Sequence, residues 1–203
     1  MAEPASQNPY MYCRGNPLKY SDPSGYDSIQ IFTAPGVRGY DNDNIEKLKD
    51  GGLNTVQSTI LSDDLGKNKK LISDALERSD YVIIRSHGGY NSLGLFTGFE
   101  NNNITYLNTQ DFTSALTSDG QVKTKMLFFD ACGSANIKDN KFFDAIMMRN
   151  VQCLGSGIHQ YASEVPLEII RAHIYTTNSK QFMNILQGIN AKRSTDFVSL
   201  PRR

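Results

Sequence analysis

The sequence predicts an α/β domain with a mostly parallel central sheet flanked by helices on both faces. Two observations carry that expectation. From Ser28 onward, short apolar runs alternate with amphipathic stretches, and two of the runs, YVIIR and MLFF, are almost continuously apolar. Strands buried on both faces read this way, and strand–helix alternation is the pattern of a parallel sheet. In chain order, Ser28–Thr33 (SIQIFT) reads as a strand, Asn44–Gly51 as a short helix stopped by Gly51-Gly52, and Asn54–Thr59 as a strand. Leu65–Arg78 sets Leu65, Leu71, Ile72, Ala75 and Leu76 at near-helical spacing. The run Asp80–Ser86 stops at His87-Gly88-Gly89, Leu93–Thr97 reads as a hairpin arm, and Thr109 is expected to cap a helix over Gln110–Leu116. Lys125–Phe129 is the next buried strand and stops at Asp130-Ala131-Cys132. Phe142–Met148 reads as a helix, Val151–Gly155 as a strand, and two helices near 164–175 and 179–191 close the domain. Residues 194–203 are expected to trail as a frayed tail, and residues 1–27, rich in Pro, Gly, Ser, Asn and Tyr, to form a linker.

Bulk properties narrow the function classes. At 203 residues the chain is long enough for one α/β domain with a sizeable core, so disulfides and structural metals are not needed. Lys plus Arg and Asp plus Glu both total 21, which argues against nucleic acid or an anionic membrane as the main partner. The three cysteines, Cys13, Cys132 and Cys153, form neither a disulfide framework nor a C-x-x-C metal pair. No metal or cofactor is expected. The opening MAEPASQNPY lacks the charged-then-apolar pattern of a signal peptide, and no apolar run approaches membrane-spanning length, so the expectation is a soluble chain.

The chemistry gathers at two strand ends of the same form. YVIIRS runs into His87-Gly88, and MLFF runs into Asp130-Ala131-Cys132. Open α/β sheets carry their working groups at the carboxyl ends of strands, so parallel neighbours would bring His87 and Cys132 together. A thiolate is a strong nucleophile, and an adjacent imidazole raises its population or protonates the leaving amine. Gly88 lets its backbone N–H approach a substrate carbonyl, and with the N–H of Cys132 it would form an oxyanion hole. Ser86, Gly133 and Ser134 flank the pair and are candidates for substrate contact, with the small residues leaving room for a peptide across the thiol.

An apolar block ending in His-Gly, followed by a second ending in Ala-Cys, resembles the signature of the caspase–clostripain–gingipain–separase group of cysteine peptidases. YVIIRSHGG and MLFFDACGS are the two blocks here, in that group's order. VQCLGSG followed by QFMNILQGINAKR resembles its CHAT branch, and the likeness spans roughly residues 28–193. The resemblance implies a caspase-like fold, a Cys–His dyad and a protein or peptide substrate. It also implies that Asp130, two residues before the nucleophile, lies at the base of the first substrate pocket and selects Arg or Lys through charge-assisted bonds. Self-cleavage at basic residues such as Arg38, Lys67, Lys69 and Lys70 is a further expectation.

A second resemblance lies in NPYMYCRGNPLKYSDPSGY. Asn16-Pro17 followed by Asp22-Pro23-Ser24-Gly25 looks like the end of an RHS/YD-repeat core, after which a variable C-terminal domain, often a toxin, begins. That resemblance implies a secreted or delivered effector, with an RHS shell or a cognate immunity protein as partners. No repeat array is present, and Asp22 reads as a turn residue.

Plainer readings fit several other residues. Cys153 inside a strand is core, and Cys13 in the linker is incidental. His159 follows a strand and is an alternative base, ranked below His87. His173 is packed or half-exposed among Ile169, Ile170 and Ile174. Met147-Met148 reads as core. Asp41–Asp43 and Asp63-Asp64 read as solvated loops, since no EF-hand loop is visible. Two rival function classes remain: a Cys–His acyl-transfer enzyme such as a deamidase or transglutaminase-like toxin, which would release ammonia from glutamine, and a non-catalytic binding module on the same fold.

Overall fold

The computed structural model describes residues 27–50, 53–88, 94–100, 103–156, 164–176 and 178–200. Within them the chain runs β1 (Asp27–Thr33), α1 (Asn42–Asp50), β2 (Leu53–Ile60), α2 (Leu65–Arg78), β3 (Tyr81–Arg85), β4 (Gly94–Glu100), β5 (Asn103–Asn108), α3 (Thr109–Thr117), β6 (Met126–Asp130), α4 (Asn140–Met148), β7 (Gln152–Ser156), α5 (Val165–Ile174), α6 (Ser179–Arg193) and β8 (Phe197–Leu200). The 6-stranded sheet has the order β2-β1-β3-β6-β7-β8; β8 alone in it is antiparallel. β4 and β5 form a separate antiparallel hairpin. The α/β class and the mostly parallel sheet are therefore as expected.

Strand periodicity sorts the core into two layers. Val82, Ile84, Leu127 and Phe129 face one side and pack with Leu76 of α2, Phe112 of α3, Phe142 of α4, and Leu95 and Leu107 of the hairpin. Ile29, Ile31, Tyr81, Ile83, Met126 and Phe128 face the other and pack with Leu48 of α1, Ile170 of α5 and Phe182 of α6. Both faces are covered, which is why β3 and β6 are apolar along their length. The chain leaves β1 toward β2 on one side and returns to β3 on the other, so the sheet order turns between β1 and β3. Beyond the carboxyl ends of strands at such a turn lies the crevice where α/β proteins place ligands.

The opposite end of the sheet is tied by charge. Asp80 accepts from the Ser28 N–H at 3.0 Å and pairs with Lys123 at 2.9 Å and Lys125 at 3.1 Å. Lys125 also reaches Asp27, so the starts of β1, β3 and β6 are joined. Burial pushes the Asp80 pKa up, but the two lysines and the Ser28 N–H outweigh it, and the net direction is down.

Several expectations need correction. Asn108, not Thr109, caps α3: its side chain accepts from Gln110 and Asp111, and the Asp111 carboxylate accepts from the Asn108 N–H. Thr109 is the first helical residue, and its hydroxyl donates to Asp139. Met147 and Met148 are 54% and 63% exposed, because Phe142, Ala145 and Ile146 take the inward face of α4. The tail does not simply trail. β8 adds the antiparallel strand beside β7, with Phe197 buried edge-on to Phe128 at a ring separation of 5.0 Å. FVSL is too short to read as a strand until the edge of β7 offers it a ladder. No helix among the described residues is long and apolar enough to cross a membrane.

Phe197→Ala should lower stability by about 3–5 kcal/mol in urea denaturation of the full chain, the usual cost of emptying a buried aromatic site. A loss under about 1 kcal/mol would mean that β8 adds nothing to the core.

Candidate active site

β3 and β6 pair in parallel with Arg85 level with Asp130. Each chain then continues in step, and the Ser86 N–H extends the ladder by donating to the Asp130 carbonyl at 3.2 Å. The residues that follow, His87-Gly88 and Ala131-Cys132, therefore leave the sheet side by side.

Their backbones touch. A Cβ built on Gly88 would lie 2.1 Å from the Cys132 carbonyl oxygen and 3.1 Å from its nitrogen, so only glycine fits. Cys132 is half-buried and His87 exposed. The His87 carbonyl accepts from the Phe96 N–H at 3.1 Å, which fastens this loop to β4. The imidazole stands beside the Phe96 ring, with centroids 6.2 Å apart.

On the other side, Gly133 adopts φ 69°, and the chain turns into a short 3-10 segment, Ser134–Asn136. The Ser134 hydroxyl accepts from the Ser156 N–H at 2.8 Å and faces the carbonyls of Phe129 at 3.0 Å and Ala131 at 2.8 Å. The Ser86 hydroxyl faces the carbonyls of His87 at 2.9 Å and Phe96 at 2.7 Å. Both serines are buried. Each hydroxyl is engaged by the loops that carry His87 and Cys132.

Asp130 differs from expectation. Its carboxylate is buried against Arg85, Nε to Oδ2 3.0 Å, and the Tyr40 hydroxyl donates to the same oxygen at 2.9 Å. The Arg85 guanidinium lies 3.9 Å over the Tyr40 ring, a cation–π contact. Burial raises the Asp130 pKa, the charge of Arg85 and the Tyr40 bond pull it back, and Glu164 adds to the rise. Burial chiefly, with the Asp130 charge, pushes the Tyr40 hydroxyl well above its ordinary range. A substrate guanidinium at this carboxylate would have to compete with Arg85, so Asp130 is not an open pocket floor. Arg85 and Tyr40 are the partners of Asp130 that were missed in the sequence. A charged residue inside YVIIR was the available signal, since a buried guanidinium requires a counter-ion; nothing local marked Tyr40.

Glu164 completes the cluster. It precedes α5 without capping it; Oε1 accepts from the Asp41 N–H at 3.3 Å, and Oε2 is buried with no hydrogen-bond partner among the described residues. Glu164 thus lies within electrostatic reach of Asp130 and Tyr40.

The remaining candidates lie elsewhere. Cys153 is fully buried in β7, and burial pushes its thiol up. His173 packs against Tyr81, hydroxyl to Nδ1 3.2 Å, and the edge of Phe182, at the opposite end of β3; burial, helped by the Lys125 charge, lowers its pKa to about 4. Asp64 caps α2 by accepting from the Lys67 N–H, and Asp41 pairs with Arg38. His159, Cys13 and the motifs of residues 1–26 lie outside the described residues.

No family model matches the chain, and no curated protein matches it. Among solved structures, it is similar to the Arg-specific cysteine proteinase gingipain R, at 18% identity and a TM-score of 0.46, over 82% of this chain and 42% of that one. The chain thus spans less than half the length of that proteinase.

Gly88→Ala should force the two loops apart while leaving the sheet intact. The alkylation rate of Cys132 by iodoacetamide should change severalfold at unchanged far-UV circular dichroism; an unaltered rate would mean the loops do not depend on this contact. Asp130→Asn should destabilise the chain by about 3–5 kcal/mol in chemical denaturation, because it strands a buried guanidinium.

Proposed function

We propose that the chain is a cysteine endopeptidase of the caspase-like kind, with Cys132 as nucleophile and His87 as its acid–base partner. The observation that carries this reading is the backbone contact of Gly88 with Cys132 at the carboxyl ends of adjacent parallel strands. In that mechanism the Cys132 thiolate attacks a peptide carbonyl, and the N–H groups of Gly88 and Cys132 hold the oxyanion. His87 protonates the leaving amine as the C–N bond breaks, then takes a proton from the water that hydrolyses the thioester. Ser86 and Ser134 support the two loops through the bonds described above.

A preference for Arg or Lys before the scissile bond belongs to the same proposal. Its support is charge at the same edge: Asp130 is matched by Arg85, and Glu164 adds a further carboxylate within electrostatic reach of Asp130 and Tyr40. The surplus favours an incoming cation. The RHS-like motif in residues 1–27 supports an effector delivered to another cell, with a shell or an immunity protein as partner.

Turnover of fluorogenic peptides ending in Arg, Lys, Asp, Asn or Leu tests the reading. Cleavage should be strongest after Arg or Lys and fall by roughly 10³-fold or more in both Cys132→Ala and His87→Ala. Cleavage after another residue would keep the peptidase and remove the basic preference. Ammonia release from glutamine without chain cleavage would replace the peptidase by a deamidase.

A further inference from the structure

The hairpin beside His87 carries large apolar side chains on its outer face as well as its inner one. Leu95, Thr97, Thr105 and Leu107 face inward, and the two threonines bond to each other in the buried layer at 2.9 Å. Phe96, Ile104 and Tyr106 face outward; Ile104 is 49% and Tyr106 45% exposed. A sheet with one solvated face ordinarily keeps its outer face polar. The core does not explain the outer set, because it is closed by Leu95 and Leu107 on the other face.

The outer set is continuous with the reacting edge. Phe96 and Tyr106 are cross-strand partners, their rings meeting edge-to-face at 6.4 Å, and Phe96 in turn stands beside the His87 imidazole at 6.2 Å. The hairpin cannot drift from the histidine, since the Phe96 N–H and carbonyl are both engaged by the His87 loop.

We infer that Phe96, Tyr106 and Ile104 form a subsite for an apolar side chain of the substrate on the leaving-group side of the scissile bond. The inference rests on the peptidase reading and deepens it. If His87 protonates the departing amine, the residue carrying that amine lies next to the imidazole, where the aromatic row begins. The occupant is then an extended polypeptide, with Leu, Ile, Phe or Met at or next to the new amino terminus. Among the described residues the row is three side chains, too few for the roughly 800 Å² per partner of a stable dimer face. They suit one side chain, whose burial is worth a rate ratio of roughly tenfold to a hundredfold.

The test uses internally quenched peptides that keep one residue before the scissile bond and vary the leaving side among Leu, Phe, Ser and Asp. The kcat/KM ratio of Leu to Ser should be at least about tenfold in the wild type and approach unity in Tyr106→Ala and Phe96→Ala. Tyr106 is surface-exposed, so its variant tests the subsite without emptying the core. Turnover with no preference for Leu or Phe would overturn the subsite and leave the peptidase standing. With no turnover of any peptide, the peptidase reading fails. The subsite is then decided by NMR titration of Cys132→Ala with the Leu and Ser peptides. Selective shifts of Phe96 and Tyr106 by the Leu peptide would uphold apolar recognition there, and none would overturn it.

Discussion

Parallel pairing of β3 with β6, in the one register that sets Arg85 beside Asp130, is the constraint on which the rest of the edge depends. A slip of one residue would turn Val82, Ile84, Leu127 and Phe129 toward the wrong layer, and the apolar burial on both faces forbids it. With the register held, the two chains leave the sheet at the same level. Gly88 then lies against the backbone of Cys132, and no side chain at that position could share the space. The proximity of His87 and Cys132 along the edge is thus a consequence of core packing several residues earlier.

The same register joins two opposite charges inside the sheet. A buried ion pair recovers its desolvation cost only when the remaining polar atoms are also served. Tyr40 helps by donating to the Asp130 carboxylate and lying under the Arg85 guanidinium. The pair therefore braces the ends of β3 and β6, and Asp130 acts on the site through position. Glu164 brings a second carboxylate to this vicinity, which leaves the edge with acidic character on the α5 side.

On the opposite face, the hairpin closes the core with Leu95 and Leu107 and turns aromatic surface outward beside the imidazole. The edge is accordingly asymmetric. Charge gathers on the layer of α1, α5 and α6, and apolar surface on the layer of α2, α3 and α4. The two sides of the edge thus present different chemistry to anything that lies across it.

Much of this was legible in the amino-acid order. YVIIR and MLFF announce strands buried on both faces, and their abrupt ends at His87-Gly88 and Ala131-Cys132 announce where groups emerge. Those are local properties: apolar periodicity and the conformational range of glycine act over a few residues. β8, the outward Met147 and Met148, and the buried partners of Asp130, Ser86 and Ser134 were not legible. Each depends on which element lies opposite. FVSL is a strand only beside β7, and a carboxylate is a substrate receptor or half of an internal ion pair according to what the neighbouring strand presents. The sequence by itself determined the α/β class, the ends of the two central strands, and that His87 and Cys132 follow them. Tertiary structure alone decided which polar groups were already spent on one another, because hydrogen bonds and ion pairs between distant segments exist only once the sheet has set their register.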